Sequence, residues 1–200
     1  MSSTDTVTSQ LAINQLNAVY FVNSDLADLA TLLAGVPQGA EVVLLDPTHD
    51  GLTQMLTTLN GRSGLDAIHI IGHGASGLID LGSTSVTTQT LTERAADIVT
   101  LGHALTATGD ILLYGCDVGA GVQGAAFMQQ LATLSGADVA ASTDLTGAAA
   151  QGGNWVLEAQ TGPIEAQAIA PVDYSGVLGN WGGGTTSFYG NVISPREARI

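Results

Sequence analysis

The chain has 200 residues, 45% of them hydrophobic, and carries 18 acidic side chains against four arginines and no lysine, for a net charge of −14. That length and apolar content suit one domain with a sizeable core plus a tail, and they exclude collagen, coiled coil and wholesale disorder. The charge excludes nucleic acid and anionic membrane as expected partners, because phosphate binding needs a cationic footprint.

A single cysteine, Cys116, excludes an internal disulfide and leaves a free thiol or an intermolecular pair. Met1 to Gln10 is polar, with neither a basic n-region nor an apolar h-region, so no amino-terminal signal peptide of the usual kind is expected. No run of 18 apolar residues occurs, so membrane insertion is not expected either.

In chain order, residues 1–17 read as a flexible lead-in. Ala18 to Val22 reads as a first strand, closed by Asn23-Ser24-Asp25, and Ser24 or Asp25 is positioned to cap a helix carrying Leu26, Leu29, Leu32 and Leu33. Glu41 to Leu45 is a second strand, followed by an Asp50-capped helix with Leu52, Met55, Leu56 and Leu59 on one face. Leu65 to Ile71 is a third strand, which runs into Gly72-His73-Gly74. Leu78 to Gly82 reads as a small hairpin or loop excursion.

A long helical pattern then runs from Thr87 through Leu91, Ala95, Ile98, Leu101 and Leu105 until Gly109. Asp110 to Tyr114 is a fourth strand, leading into Gly115-Cys116-Asp117. A helix with Phe127, Met128, Leu131 and Leu134 follows, then a fifth strand from Asp138 to Ser142. Trp155 to Ala159 and Ile164 to Ala166 suggest an antiparallel pair at the sheet edge. Residues 179–200, rich in Gly and Ser, read as a linker or tail.

The alternation implies an α/β fold. It would have three layers, with a flavodoxin-like parallel sheet of about five strands, helices on both faces and an antiparallel edge extension. The domain would occupy residues 18–178.

The third and fourth strands are apolar runs of the kind buried on both faces, and each ends in glycine beside a residue with nucleophilic chemistry. As parallel neighbours they would bring His73 and Cys116 together at the carboxyl edge, where open α/β sheets place their sites. Cysteine-based acyl transfer needs a thiolate, a base and donors for the developing oxyanion. Cys116 is the candidate nucleophile, its thiol lowered by the helix that follows. His73 is the candidate base, and the amides of Gly74 and Cys116 are candidate oxyanion donors. A lone cysteine is more often a small core residue. It is the matched position of the two motifs, not either residue alone, that points to a site.

His69 reads as a packed or hydrogen-bonded strand residue, His49 as a loop residue and His103 as part of a polar helix face. No His/Cys/Asp/Glu spacing matches a zinc site, a calcium loop or a phosphate loop, so neither a metal nor a cofactor is expected. Gly72-x-Gly74 lacks the third glycine of a dinucleotide fingerprint.

Ile68-His69-Ile70-Ile71-Gly72-His73-Gly74 followed by Leu112-Leu113-Tyr114-Gly115-Cys116-Asp117 resembles the paired motif of the caspase-like cysteine peptidases, the clan of caspases, gingipains, legumain, separase and the CHAT peptidases. The two residues stand 43 apart, near the roughly 50 of caspases, although Tyr114-Gly115-Cys116-Asp117-Val118 departs from the caspase pentapeptide. Residues 18–178 are more closely similar to a bacterial domain of unknown function. That domain sits near the amino terminus of very large secreted or surface proteins, ahead of cadherin-like, RTX or other repeats. The quotable matches are Val42 to Pro47, the two motifs above, Ala140 to Gly147 and Gly153 to Glu158.

The resemblance implies a Cys–His peptidase that processes its own polypeptide or a co-secreted partner, secreted or on the bacterial surface. It also implies a carboxylate in the specificity pocket, Asp144 or Asp117, and a cut near Arg196 or Arg199. Without that resemblance, Asp144 reads as a turn cap and Asp117 as a helix cap. The alternative function is a non-catalytic module for adhesion, assembly or polymerisation, self-associating through its tail.

Overall fold

The computed structural model describes residues 17–179. Its main sheet has six strands, and the chain order of elements explains their arrangement. β1 (Ala18–Asn23) is followed by α1 (Leu29–Ala34), β2 (Glu41–Leu45), α2 (Gly51–Leu59) and β3 (Leu65–Ile71). A small antiparallel sheet comes next, from β4 (Gly74–Ala75), β5 (Leu78–Leu81) and β6 (Thr84–Thr87). The helices α3 (Thr88–Glu93) and α4 (Ala95–Gly102) lead into β7 (Leu105–Tyr114), then α5 (Gly121–Ser135), β8 (Asp138–Ala141) and β9 (Ala159–Gln160). The strand order is β2-β1-β3-β7-β8-β9, parallel throughout except for β9. The α/β sheet expected from the alternation is present.

Alternate residues of the central strands feed two cores, as the two-residue period of a strand requires. Val19, Phe21, Ile68, Ile70, Ile111 and Leu113 pack with residues of α2, α3, α4 and α5. Tyr20, Val22, Ile71, Leu112 and Tyr114 face the other way, towards Leu32 of α1 and the irregular chain that carries Leu157, Ile169, Tyr174 and Leu178. The second face is thus covered by one short helix and a long loop. Burying each such aliphatic or aromatic side chain stabilises the fold by roughly 1.5–3 kcal/mol, an upper figure because unfolded chains already bury some surface.

Several boundaries differ from the sequence pattern. The long helix expected from Thr87 to Leu105 breaks at Arg94 (φ −115°, ψ 31°). The Arg94 guanidinium bonds Asp50 and Asp97, each at 2.7 Å, and this ties the break to α2. β7 begins at Leu105 rather than Asp110, because Leu105 pairs with Leu65 before a register shift carries the strand on to Ala67↔Asp110. The helix expected from Leu26 starts at Leu29, and neither Ser24 nor Asp25 caps it. Asp28 holds the N-cap position, and the Ser24 hydroxyl donates to the Leu45 carbonyl instead.

The expected edge pair does not form: of Trp155 to Ala159 only Ala159 is strand, joining Gln160 in β9 against β8, and Ile164 to Ala166 pairs with no strand among the described residues. The amides of Glu165 and Ala166 instead donate to one carboxylate oxygen of the buried Asp110, at 2.9 and 2.8 Å. The expected lead-in lies outside the described residues apart from Asn17, and the expected tail apart from Gly179.

Asp50 caps α2 as expected, accepting from the Thr53 amide at 2.7 Å, and its carboxylate also binds Thr84 and Arg94. Asp50→Ala should therefore cost about 1–2 kcal/mol in urea unfolding, the usual loss for a helix cap, with Arg94 left short of a partner. A stability unchanged within about 0.3 kcal/mol would show that the cap contributes nothing.

Candidate active site

β3 and β7 end in register, Ile71 opposite Tyr114, and the Gly72 amide continues the ladder to the Tyr114 carbonyl at 3.1 Å. His73 and Cys116 each stand two residues past that last pair. The turns that carry them pack main chain against main chain. A Cβ on Gly115 would come within 3.0 Å of the Gly72 oxygen and 3.1 Å of the Gly74 amide nitrogen. A Cβ on Gly74 would lie 2.5 Å from Val118 and 2.9 Å from the Cys116 carbonyl oxygen. At Gly74 any larger residue would force the turns to shift, and at Gly115 the fit is tight. The expected juxtaposition of the two motifs at one sheet edge is present.

Cys116 is 2% exposed. Its Sγ accepts the Thr146 amide proton at 3.3 Å and lies 3.7 Å from the Thr146 carbonyl oxygen. Burial pushes the thiol up to about 11, the carboxylates of Asp117 and Asp144 push the same way, and the amides of Thr146 and Leu178 offset only part of this. The sequence suggests the opposite, a thiol lowered by the following helix. That expectation is corrected: α5 begins only at Gly121, with Asp117 in the left-handed region (φ 61°) in between, and desolvation dominates. At neutral pH the sulfur carries its proton.

His73 is half-buried, and its Nδ1 is buried without a hydrogen-bond partner among the described residues, as is the hydroxyl of Thr146. His73 and Thr146, the latter bonded to the sulfur through its amide, thus carry unpaired buried polar atoms, a rarity in folded interiors. The His73 carbonyl is used structurally, accepting from the Asp80 amide at 2.8 Å.

The amides of Gly74 and Cys116 converge on one oxygen. Both donate to the Leu178 carbonyl, at 2.9 and 3.0 Å respectively. Leu178 belongs to an extended segment held on two sides. Gly179 bridges Gly74 in parallel fashion, and Val177 bridges Gly147 antiparallel. The Leu178 amide donates to the Thr146 carbonyl and the Ala148 amide to the Gly176 carbonyl, each at 2.8 Å. Gly147 makes room with φ +138°, since a Cβ there would lie 2.3 Å from the Gly176 oxygen. The Leu178 side chain is fully buried in the second core, with Tyr114, Cys116 and Tyr174 in the same cluster. Trp155 packs on Tyr174 and Tyr114, with ring centroids 5.6 and 6.3 Å apart. Two aligned N–H groups on one carbonyl are what acyl transfer requires of its oxyanion donors.

Asp144 and Asp117 lie on the rim of this edge, joined by the Asp117 amide donating to the Asp144 carbonyl at 2.8 Å. The exposed Asp144 carboxylate accepts from the Asn154 side-chain amide at 2.9 and 3.1 Å. Burial, with the nearby Asp144 charge, raises the Asp117 carboxyl above its ordinary range. Arg196 and Arg199 lie outside the described residues.

His69 is removed from the site chemistry. It is 1% exposed and stacks on Tyr20 with ring centroids 4.1 Å apart. Its Nδ1 lies 3.2 Å from the Tyr114 hydroxyl, which also accepts the Ile169 amide proton at 3.1 Å. Burial lowers this imidazole to about 3, so it stays neutral at physiological pH. His49 pairs with Asp46 on the surface, at 3.0 Å.

Sequence reasoning did not single out Thr146 or Leu178. Thr146 lies in the stretch Ala140 to Gly147, whose resemblance to the family gave it no role of its own. Leu178 carries no periodic signal, because its role is made by main-chain atoms. Among the described residues, no group of three or more His, Cys, Asp and Glu could hold a metal ion, and no helix is long and apolar enough to cross a membrane.

No curated protein matches the chain. A family match covers residues 19–178, four-fifths of the sequence, and includes both motifs, Thr146 and Leu178. The chain therefore belongs to the family described as Domain of unknown function (DUF4347).

Proposed function

We propose that this domain is a caspase-like cysteine peptidase with a Cys116–His73 dyad, one that matures its own secreted or surface polypeptide or a co-secreted partner. The observation that carries the reading is the convergence of the Gly74 and Cys116 amides on a single carbonyl oxygen beside a thiol. His73, on the adjoining turn of the same sheet edge and with an unpaired buried Nδ1, supplies a group able to move the proton.

In this reading the Cys116 sulfur adds to a peptide carbonyl carbon while His73 takes the thiol proton. The negative oxygen is held by the two amides. His73 then gives that proton to the departing amine, and a thioester on Cys116 remains. Water adds to the thioester with His73 as base, releasing a carboxylate and restoring the thiol. Because burial keeps the proton on sulfur, the thiolate forms only as attack proceeds, and turnover is slow. A maturation enzyme needs no more.

One observation favours a second reading. The sulfur is almost wholly covered and its thiol is raised, as in a structural cysteine. The fold would then be a non-catalytic module for adhesion, assembly or polymerisation.

Incubating the purified chain with and without calcium, beside Cys116→Ala and His73→Ala, separates the two. The peptidase reading predicts discrete cleavage of the wild type and a loss of at least ~10³-fold in each variant. Equal cleavage in all three, or none in any of them with no labelling of Cys116 by an electrophilic peptide, would leave the module reading.

A further inference from the structure

We infer that the peptidase's substrate is its own segment 176–179, and that the scissile bond is Leu178–Gly179. The inference rests on the peptidase reading above and adds the bond, the specificity and the direction of binding.

Four features of the segment match a bound substrate. First, its Leu178 carbonyl is the oxygen that both candidate oxyanion donors share, at 2.9 and 3.0 Å. Second, residues 176–178 run antiparallel to residues 146–148, in the β-augmentation mode by which extended peptides are recognised. Third, Thr146 holds both reacting partners: its amide donates to the Cys116 sulfur at 3.3 Å and its carbonyl accepts from the Leu178 amide at 2.8 Å. Fourth, Gly179 bridges Gly74, the residue next to His73, so the departing amine leaves on the histidine side of the site.

The specificity follows from the same placement. Leu178 is 0% exposed within an apolar and aromatic cluster, so the residue that supplies the acyl group is a buried aliphatic one, not a cation. This differs from a cut near Arg196 or Arg199 with Asp144 or Asp117 as the pocket acid. The Asp144 carboxylate is already engaged by Asn154. Glycine on the downstream side adds no side chain between the two turns.

The bonds balance as a hydrolysis. Sulfur forms a bond to the Leu178 carbonyl carbon, the C–N bond to Gly179 breaks, and the Gly179 nitrogen takes the proton that His73 received from the thiol. One water then converts the thioester to the Leu178 carboxylate and returns the proton to sulfur.

The test is intact and fragment mass over time for the 200-residue chain, with Cys116→Ala, Leu178→Met and Leu178→Asp beside it and circular dichroism to check folding. The wild type and Leu178→Met should split between Leu178 and Gly179. Leu178→Asp, which would bury a carboxylate, should slow the cut by at least about tenfold. A Cys116-dependent cut at another bond, after Arg196 for example, overturns this assignment and leaves the peptidase reading standing. An intact wild type whose Cys116 is nonetheless labelled by a leucine-terminated acyloxymethyl ketone makes segment 176–179 a plug, and again overturns the assignment alone. An intact wild type that is not labelled ends both.

Discussion

Urea unfolding should show the domain losing stability as pH falls below about 6.5, and His69→Phe should lack that loss. The unfolded imidazole titrates at about 6.5, while burial between Tyr20 and Tyr114 lowers it to about 3 in the folded chain. The sign follows from which state binds the proton. Between those two values the unfolded chain is protonated at His69 and the folded chain is not, so acid favours unfolding. The stabilisation is whole above the unfolded value and declines as pH falls towards the folded one. Its slope approaches roughly 1.4 kcal/mol per pH unit, or about 2–3 kcal/mol by pH 4.5.

Asp110 and Asp117 work in the opposite direction, because burial raises both carboxyls and the folded state holds their protons more firmly. They are common to both proteins and cancel in the difference. Phenylalanine keeps the aromatic layer but leaves the Tyr114 hydroxyl with the Ile169 amide alone, so the variant starts lower by about 1–3 kcal/mol. The difference in slope is the readout. Parallel curves for the two proteins would mean that His69 is protonated without cost in the folded state.

Gly74→Ala should cost about 2–4 kcal/mol and reduce self-cleavage by at least ~100-fold. The new methyl would sit 2.5 Å from Val118 Cγ2 and 2.9 Å from both the Cys116 oxygen and the Gly115 carbonyl carbon. Two of these three atoms belong to backbone, which cannot rotate away. The β3 and β7 turns must separate, and the two amides that share the Leu178 oxygen move apart with them. Melting temperature and the rate of fragment formation measure the two effects. An alanine variant that melts and cleaves like the wild type would show that the main-chain contact is not what assembles the site.

The central strands were readable because each is an apolar run between turn residues, and burial on both faces leaves that mark on a sequence. The adjacency of the two glycine-flanked strand ends was readable for a related reason: β3 and β7 are consecutive core strands, each ending in glycine and a reactive residue. The start of β7 was hidden because Leu105 keeps the helical spacing of the preceding residues, and only its pairing with Leu65 makes it strand. Ile164 to Ala166 looks like an edge strand, yet its amides go to the carboxylate of Asp110, a partner more than 50 residues away.

The environment of the thiol was misread. A helix following a cysteine suggests a lowered thiol, whereas the covering segment that raises it is distant in sequence. That segment was the least legible part. Leu178 meets the site through its main-chain carbonyl and amide, which every residue but proline possesses, so no side-chain pattern marks it.

The central claim is that Cys116 attacks a carbonyl of its own chain, and trapping the thioester tests it most directly. Incubation with hydroxylamine diverts a thioester from water and leaves a hydroxamate at the new carboxyl terminus. The account predicts that the amino-terminal fragment of the wild type ends in Leu178 hydroxamate, and that Cys116→Ala yields neither hydroxamate nor acid. A fragment that ends only in carboxylate, formed equally fast in Cys116→Ala, would contradict it.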